Sequence, residues 1–281
     1  MQRWATLGAP QQTMQVRQRP TTIAYHDVID QDAPDASGFA GRDAARYKLS
    51  WPLFRAHLDA IAASVSEPPV TGAELLAGAA SSGSWALTFD DGGASAVEIA
   101  AELSSRGWRG QFFVTTDRIG TPGFVSADEL RALTRDGHLV GPHSHTHPQR
   151  MAACTPAHLE SEWQTSSDLL TDLLGVRPVV AAIPGGWYSD DVARAAAAAG
   201  IRVLYSSEPV RRVSVIDGCM VVGRFAMLDR SSAASAGALA RGSVAPRARR
   251  WAARAVLRPV KAVSGPGYLK LRAALLTLRG R

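Results

Sequence analysis

Short apolar segments alternate with longer amphipathic segments along most of the chain, and this alternation limits the possible folds more than any other feature. Strand patterns are found at 21–25, 85–89, 111–115, 138–140, 179–183, 201–205 and 220–225. Helix patterns are found at 51–64, 94–106, 127–136, 156–174 and 190–199. Because parallel neighbours need a crossover between them, usually a helix, this order predicts a mainly parallel sheet covered by helices. The 281 residues suffice for one α/β barrel, which takes roughly 250 residues.

Two of the predicted helices begin with capping signals. Ser126 precedes the helix at 127–136, and Glu129 follows it three residues later, which is the pattern of a capping box. Ser189 stands in the same position before the helix at 190–199 and predicts an N-cap there as well.

Charge is distributed unevenly along the chain. Residues 241–281 hold 11 of the 31 lysines and arginines and no acidic residue, so the remainder carries 20 basic against 25 acidic residues. Segment 229–245 is rich in Ser, Ala and Gly and is interpreted as a linker. It separates a domain at 21–228, preceded by an N-terminal extension at 1–20, from a basic helical tail at 246–281.

The tail allows three interpretations. Arg247, Arg250 and Arg254 share one helical face, while Trp251 and Ala255 share the other. Such a helix could pack on the barrel, lie on a membrane surface or bind a partner. The chain has neither zinc-finger spacing nor repeated aromatic and basic residues, which argues against a nucleic-acid partner.

The sequence also bears on the compartment. Residues 1–15 lack the apolar core of a secretory signal, and no run approaches the roughly 18 apolar residues of a spanning helix. Cys154 and Cys219 allow at most one disulfide, so there is no disulfide framework. We therefore expect a cytoplasmic protein, with peripheral contact at the inner face of the membrane if the tail is an anchor.

Two adjacent carboxylates follow the predicted strand at 85–89. Asp90 and Asp91 stand between this strand and a Gly-Gly turn. The carboxyl end of a strand is where α/β folds place their active sites. A solvated turn is the simpler alternative, because Asp and Gly both favour turns.

Three histidines, His143, His145 and His147, lie within five residues. An extended backbone would place all three on one side, whereas a helical turn would bring His143 and His147 onto one face. Either conformation supplies two ligands. Carboxylate and imidazole together suit a borderline divalent metal such as zinc, and a second carboxylate beside a ligand suits a general base.

These segments resemble the first two motifs of the NodB-type polysaccharide deacetylases, carbohydrate esterase family 4. Thr88-Phe89-Asp90-Asp91-Gly92 resembles the first motif, and His143-Ser144-x-x-His147-Pro148 resembles the second. The resemblance extends over residues 21–228 and implies an irregular (β/α) barrel of the polysaccharide deacetylase type. It also implies that Asp90 is the general base and that Asp91, His143 and His147 hold the metal, which leaves His145 over.

The chain departs from the family at the third motif, which usually reads Arg-x-Pro-x-Gly. Ala182 stands where the family has the arginine that orients the base. Arg224, near the end of a predicted strand, is a candidate replacement, and a solvated arginine is the alternative reading of that residue.

The glycine-rich segment after Ala182 supplies candidate substrate contacts. The backbone amides of Gly185, Gly186 and Trp187 are candidates for an oxyanion hole, because glycine permits close approach. Trp187 and Tyr188 are candidates for stacking on a sugar, although aromatic residues more commonly pack in a core.

The general acid must come from an unusual position, because no histidine follows His158 and the late histidine motif of the family is absent. Ala24-Tyr25-His26 resembles the Tyr-His segment of the biofilm exopolysaccharide deacetylases, in which an N-terminal histidine is assigned the acid role. The resemblance therefore assigns the acid to His26, with a buried structural histidine as the alternative. His57, His138 and His158 are interpreted as structural.

The resemblance implies metal-dependent hydrolysis of acetyl groups, N-acetyl before O-acetyl, from a carbohydrate or polysaccharide precursor. Zinc is the expected metal, with cobalt, nickel or manganese as alternatives. The missing motif arginine leaves open a catalytically impaired carbohydrate-binding protein of the same fold. A metal-dependent amidase acting on a non-sugar substrate is also open, because the site chemistry would be the same.

Overall fold

The computed structural model describes residues 20–30, 33–81 and 83–244. Its strands are β1 (Thr21–Tyr25), β2 (Val28–Ile29), β3 (Leu49–Ser50), β4 (Trp85–Phe89), β5 (Gln111–Val114), β6 (Leu139–Pro142), β7 (Val180–Ala182), β8 (Val203–Tyr205), β9 (Val213–Ile216), β10 (Cys219–Val222) and β11 (Arg224–Ala226). Its α-helices are α1 (Arg42–Ala45), α2 (Trp51–Ala62), α3 (Gly72–Leu76), α4 (Ala96–Ser105), α5 (Ala127–Arg135), α6 (Pro156–Leu174), α7 (Asp190–Ala198) and α8 (Ala233–Ala240). Helices follow most of the central strands, as the alternating pattern predicts.

Two sheets form the centre of the molecule. The first has the strand order β11-β1-β4-β5-β6, and all of its neighbours are parallel. The second has the order β7-β8-β10-β9, in which only β9 runs antiparallel to its neighbour. A short pair, β2 and β3, stands apart.

The two sheets meet edge to edge without a shared hydrogen-bond ladder. On one side, β6 approaches β7 so closely that a Cβ on Gly141 would lie 2.1 Å from the carbonyl oxygen of Val180. On the other side, Gly223 alone separates β10 from β11, and the chain crosses from the second sheet to the first. The result is an irregular (β/α) barrel, and the predicted fold class is confirmed.

The prediction of one strand at 220–225 is wrong, because the structure has two strands there in different sheets. The break falls at Gly223, where a Cβ would lie 2.3 Å from the carbonyl oxygen of Val210 and 2.5 Å from that of Glu208. Only a residue without a side chain lets this loop pass so close to the backbone.

The prediction of a linker at 229–245 is also corrected. Residues Ala233–Ala240 form α8, which packs on α2 and β1 and is largely buried. Its small side chains permit this contact, since a Cβ on Gly237 would lie 2.5 Å from the carbonyl oxygen of Ala60. A composition rich in Ser, Ala and Gly here reflects close helix packing, and the barrel extends at least to the end of α8.

Stacked aromatic rings fill the core between the first sheet and its helices. The rings of Tyr25 and Phe89 have centroids 5.7 Å apart, and those of Phe89 and Phe112 are 5.0 Å apart. Phe54 on α2 meets Tyr25 edge-on at 5.4 Å. Each such buried side chain contributes about 1.5–3 kcal/mol to folding and fixes the strands that end at the site.

The ends of the chain, 1–19 and 245–281, lie outside the described residues, and the predicted basic tail at 246–281 falls wholly within the second of these ranges. None of the helices in the described ranges is both long enough and apolar enough to cross a bilayer.

Candidate active site

The predicted site residues come together at the carboxyl ends of the strands. Asp90 and Asp91 directly follow β4, His143 directly follows β6, and His26 directly follows β1. Because these strands are parallel neighbours in one sheet, their carboxyl ends meet at one edge. Residues that are far apart in the sequence therefore lie close together at this edge of the sheet.

Asp91, His143 and His147 form a compact group of three ligand atoms that all lie within 4.8 Å of one another. Oδ1 of Asp91 is 3.5 Å from Nε2 of His143 and 3.5 Å from Nε2 of His147. Ligand atoms bound at about 2.0–2.2 Å to a tetrahedral zinc stand roughly 3.3–3.6 Å apart, so these separations fit such an ion.

His143 is fixed in the tautomer that a metal ligand requires. Its Nδ1 donates to the backbone carbonyl of Ala182 at 2.9 Å, which leaves the lone pair of Nε2 facing the carboxylates. Burial lowers the pKa of His143 to about 4, although the charges of Asp90 and Asp91 oppose this shift. The imidazole is therefore neutral near pH 7 and available for coordination.

His147 is less enclosed and stands beside an aromatic wall. Its ring centroid lies 4.8 Å from that of Phe39, which in turn packs edge-on against Phe124. Burial lowers the pKa of His147, but the hydrogen bond and negative charge of Asp91 outweigh burial and raise that pKa. The contact between Asp91 and His147 therefore depends on a proton on His147. A bound cation would take the place of that proton.

Two of the three ligand residues have left-handed backbone conformations, with φ of 77° at Asp91 and 59° at His147. Ser144, between the two ligand histidines, also has a positive φ of 63°. Such conformations cost about 1–3 kcal/mol each for residues other than glycine and persist only where the surrounding structure enforces them. Three such conformations in the two candidate ligand segments indicate that these segments serve a function at some cost in stability.

Asp90 is paired with the arginine that the sequence offered as a candidate. Nη1 and Nη2 of Arg224 donate to the two carboxylate oxygens of Asp90 at 2.6 and 2.7 Å, and both side chains are buried. Arg224 also donates to Thr88 Oγ1 and to the carbonyl of Ser206, so its guanidinium is held in place. The alternative of a solvated arginine is thereby excluded.

The charge of Asp90 is stabilised by these neighbours. Burial alone would raise the pKa of Asp90, but above all the charge of Arg224 holds that pKa below its usual value. Asp90 is consequently ionised near neutral pH. Its Oδ2 lies 3.9 Å from Nε2 of His143, beside the ligand group but outside it.

His26 reaches the same group of carboxylates from the end of β1. Its positive form would lower the pKa of both Asp90 and Asp91, and its ring stacks at a tilt on Tyr47 with centroids 4.6 Å apart. Its Nδ1 is buried and has no hydrogen-bond partner in the part of the chain that the structure describes. A purely structural histidine normally satisfies such an atom.

The glycine-rich segment at 185–188 lies beside the histidine loop. Its four predicted residues have two different surroundings. Gly185 and Gly186 have positive φ values of 58° and 65°, and a Cβ on Gly186 would lie 2.5 Å from Cβ of Ser207. The ring of Trp187 lies under the guanidinium of Arg150, which follows the histidine loop. Tyr188 instead donates to Asp190 at 2.7 Å and packs against a buried apolar cluster that includes Leu159 and Val192.

The remaining histidines bond to neighbouring groups outside the ligand group. His145 accepts or donates at Nδ1 with Thr116 at 2.9 Å. His57 bonds to Tyr25 and to the carbonyl of Ser231, His138 to Ser104 and Gly110, and His158 to Glu162.

Sequence reasoning missed two residues that shape the site, Phe39 and Glu162. Phe39 lies in a polar loop with no local pattern that would single it out. Glu162 did carry a signal, since it interrupts the buried face of α6 between Leu159 and Ser166. A carboxylate at such a core position requires a set of donors opposite it.

Comparisons with known proteins bear on the family and the fold of the chain. Residues 77–204 match the sequence profile of the family described as polysaccharide deacetylase. The chain is therefore similar to a polysaccharide deacetylase domain over residues 77–204, and the barrel that contains this segment is here called the deacetylase domain. The matched range of this deacetylase domain begins before β4 and ends within β8, so it includes the carboxylates and the histidine loop but neither His26 nor Arg224.

One curated relative is a gellan lyase from a Bacillus species. It is 33% identical to the chain over 112 residues, which is 40% of this chain but only 4% of the lyase. The chain therefore spans a very small part of that relative.

Two solved structures have the same fold as the deacetylase domain. The deacetylase PplD of Streptococcus pyogenes, in complex with acetate, superposes with a TM-score of 0.64 at 17% identity, over 76% of this chain and 95% of that one. A de-N-acetylase from Aggregatibacter actinomycetemcomitans superposes with a TM-score of 0.62 at 18% identity, over 76% and 97%. At these identities the likeness establishes the barrel architecture.

Proposed function

We propose that the deacetylase domain hydrolyses N-acetyl groups of a carbohydrate, using a divalent cation held by Asp91, His143 and His147. The observation that carries this proposal is the buried Asp90–Arg224 pair beside the three ligand atoms. An ionised carboxylate that is oriented by a cation and adjacent to a metal site suits a general base.

The donor set fits a borderline cation, of which zinc is the first choice and cobalt, nickel and manganese are alternatives. One carboxylate and two imidazole nitrogens leave room for substrate or water, as in catalytic rather than structural sites. When bound, such a cation would polarise the acyl oxygen and make a nearby water more acidic.

The residues of the chain would then divide the proton transfers between them. Asp90 accepts a proton from water as the water oxygen bonds to the acetyl carbon. His26 donates a proton to the departing amine nitrogen as the carbon–nitrogen bond breaks, which yields acetate and a free amine. The amides of Gly186 and Trp187 are the proposed donors to the developing oxyanion.

The alternative of an impaired carbohydrate-binding protein arose from the alanine at position 182. The bidentate contact between Arg224 and Asp90 weighs against it, because a guanidinium occupies the position beside the base. The name of the Aggregatibacter structure, a de-N-acetylase, supports the choice of N-acetyl over O-acetyl groups.

Acetate release and zinc content of matched variants test the proposal. We expect Asp90→Asn to retain zinc but to lose acetate release from N-acetylated chitooligosaccharides or an exopolysaccharide precursor. We expect Asp91→Ala to lose zinc, whereas His145→Ala, the matched control on the same loop, should retain it. Wild-type activity on non-sugar acetamides but on none of these glycans would instead indicate an amidase.

We also propose, from the sequence pattern, that the basic tail brings the protein to an anionic membrane surface. The charge separation between residues 241–281 and the rest of the chain supports this proposal. A lipid-linked glycan precursor would then be presented at the same surface as the active site.

A further inference from the structure

The segment that carries two of the proposed ligands, residues 143–147, is here called the ligand loop. At its first residue it is anchored to β7 through the contact between His143 Nδ1 and the carbonyl of Ala182. Two of its following residues, His145 and Thr146, bond to one side chain of α6, that of Glu162.

The carboxylate of Glu162 gathers donors from consecutive residues of the ligand loop. Oε2 accepts from the backbone amides of His145 and Thr146, both at 2.9 Å. Oε1 accepts from the hydroxyl of Thr146 at 2.6 Å and faces Nε2 of His158 at 3.3 Å. The side chain of Glu162 is only 4% exposed, so water does not replace these donors.

This carboxylate is held in its ionised form. Burial raises the pKa of Glu162, but hydrogen bonds from Thr146, Ser144 and His145 outweigh burial and lower that pKa. Charge-assisted hydrogen bonds of this kind are roughly twice as strong as neutral ones.

The contacts of Glu162 fall on the turn between the two left-handed residues, Ser144 and His147. The hydroxyl of Ser144 accepts from the amide of His147 at 3.1 Å and so closes the turn on itself. A turn with two unfavourable backbone conformations needs outside contacts to hold it, and Glu162 provides three of them, while Thr116 and Asp117 provide others.

We propose that Glu162 is a positioning residue: it holds the turn that carries His147 in place for metal binding, although it does not itself contact the ligand atoms. It fixes the turn at 144–147 so that Nε2 of His147 stands 3.5 Å from Oδ1 of Asp91 before any ion arrives. This inference rests on the proposed function, since it assumes that the ligand group takes up a metal.

Zinc affinity of the folded chain tests the role of Glu162. The dissociation constant for Zn²⁺ is measured by competition with a chelating indicator for wild type, Glu162→Gln and Glu162→Ala. Circular dichroism and thermal unfolding without metal establish that each variant is folded at the temperature used. Because loss of a residue that orients a ligand typically costs about 10–100-fold in affinity, we expect that loss in Glu162→Ala.

The glutamine variant should lose less affinity, since its amide oxygen can still accept from the two backbone amides. Glu160→Gln is the matched control, because Glu160 is exposed on the same helix, and it should bind Zn²⁺ like wild type. With Co²⁺ in place of Zn²⁺, the visible spectrum of Glu162→Gln should change as the ligand geometry relaxes.

A purely structural role for Glu162 predicts another result, a lower melting temperature with wild-type Zn²⁺ affinity in folded Glu162→Ala, and that result would overturn the inference. If Glu162→Ala does not fold, Glu162→Gln decides in the same way. A wild-type chain that takes up no Zn²⁺ overturns both this inference and the proposed metal site. Normal uptake by wild type with unchanged variants overturns only the role of Glu162.

Discussion

At the scale of single residues, Arg224 supplies a charge that the sequence motif lacks at its usual position. The family pattern would place an arginine at the position of Ala182, on β7, whereas Arg224 begins β11. Its long side chain spans the barrel interior to reach Asp90 beyond the end of β4. In this chain the guanidinium that contacts Asp90 is therefore carried by β11 and not by β7.

Removal of this guanidinium should destabilise the fold. Arg224→Met leaves the carboxylate of Asp90 buried without its partner, which typically costs about 3–5 kcal/mol. The double variant Arg224→Met with Asp90→Asn removes both charges and should be more stable than Arg224→Met alone. Urea unfolding measures both changes, with Arg230→Met, at an exposed arginine, as the control.

Simple additivity of the two substitutions would contradict this expectation, since a coupled pair gives a double variant that loses less than the sum. The same cycle separates the structural from the chemical role of Arg224. We expect stability to be partly recovered in the double variant. Acetate release should not be recovered, because Asp90 is the proposed base.

Glu162 should make stability depend on pH in a defined direction. Because its pKa is lower in the folded chain than in the unfolded chain, its stabilising contribution is complete above the unfolded value of about 4.3 and is lost as the pH falls through the folded value. At about pH 7, wild type should exceed Glu162→Gln in unfolding free energy by about 1.5–3 kcal/mol. The difference should shrink toward about pH 3. Chemical denaturation without metal measures it, and a difference independent of pH would contradict the assignment.

The grouping of Asp91, His143 and His147 could be predicted from the sequence, because the two segments that contain them resemble the family motifs, and the structure brings the three side chains together. The contacts of Arg224 and Glu162 could not be predicted in the same way. They depend on how distant strands and helices are placed around the barrel, and no local spacing encodes that placement. The sequence therefore indicates Arg224 only as a candidate.

At the scale of elements, α8 illustrates how a helix can be mistaken for a linker. It contains no large apolar residue except Leu239, so the amphipathic pattern of a surface helix, with a period of 3.6 residues, is missing. Its contact with α2 depends on backbone proximity, and Gly237 lies against Ala60 and Ser64. Capping signals were more informative, since Ser126 and Glu129 form the predicted capping box.

Gly237→Ala should therefore destabilise the protein although alanine favours helices. The intrinsic gain is about 1 kcal/mol, but the new methyl group would lie 2.5 Å from the carbonyl oxygen of Ala60, and overpacking of this kind costs about 1–3 kcal/mol. Ala234→Gly, at an exposed position of the same helix, measures the propensity term alone. A Gly237→Ala variant more stable than wild type in thermal unfolding would disprove the close contact.

At the scale of the whole molecule, the barrel has two halves that are joined differently. One seam, between β6 and β7, lies directly beneath the ligand loop, and the other passes through Gly223 to the strand that carries Arg224. The ligand group thus stands above one junction of the two sheets, and the residue that orients the base enters from the other.

The basic tail is tested on the full chain and on a truncated chain that ends at residue 244. This end point retains α8, which packs on the barrel and cannot be removed without exposing its core. Flotation with anionic vesicles should carry the full chain and leave the truncated chain behind, since each basic residue near such a surface contributes about 1 kcal/mol. Equal flotation of both chains would refute the membrane proposal.

The left-handed backbone at Asp91 and His147 limits how the centre can be engineered. Asp, Asn and His enter this conformation more readily than most residues other than glycine, so each ligand is also the residue that its backbone tolerates. A designer who replaces His147 with cysteine or glutamate to favour another ion changes the donor atom and adds conformational strain at once. Metal specificity in this scaffold therefore cannot be reprogrammed by donor exchange alone, and any successful redesign must rebuild the turn together with the ligand.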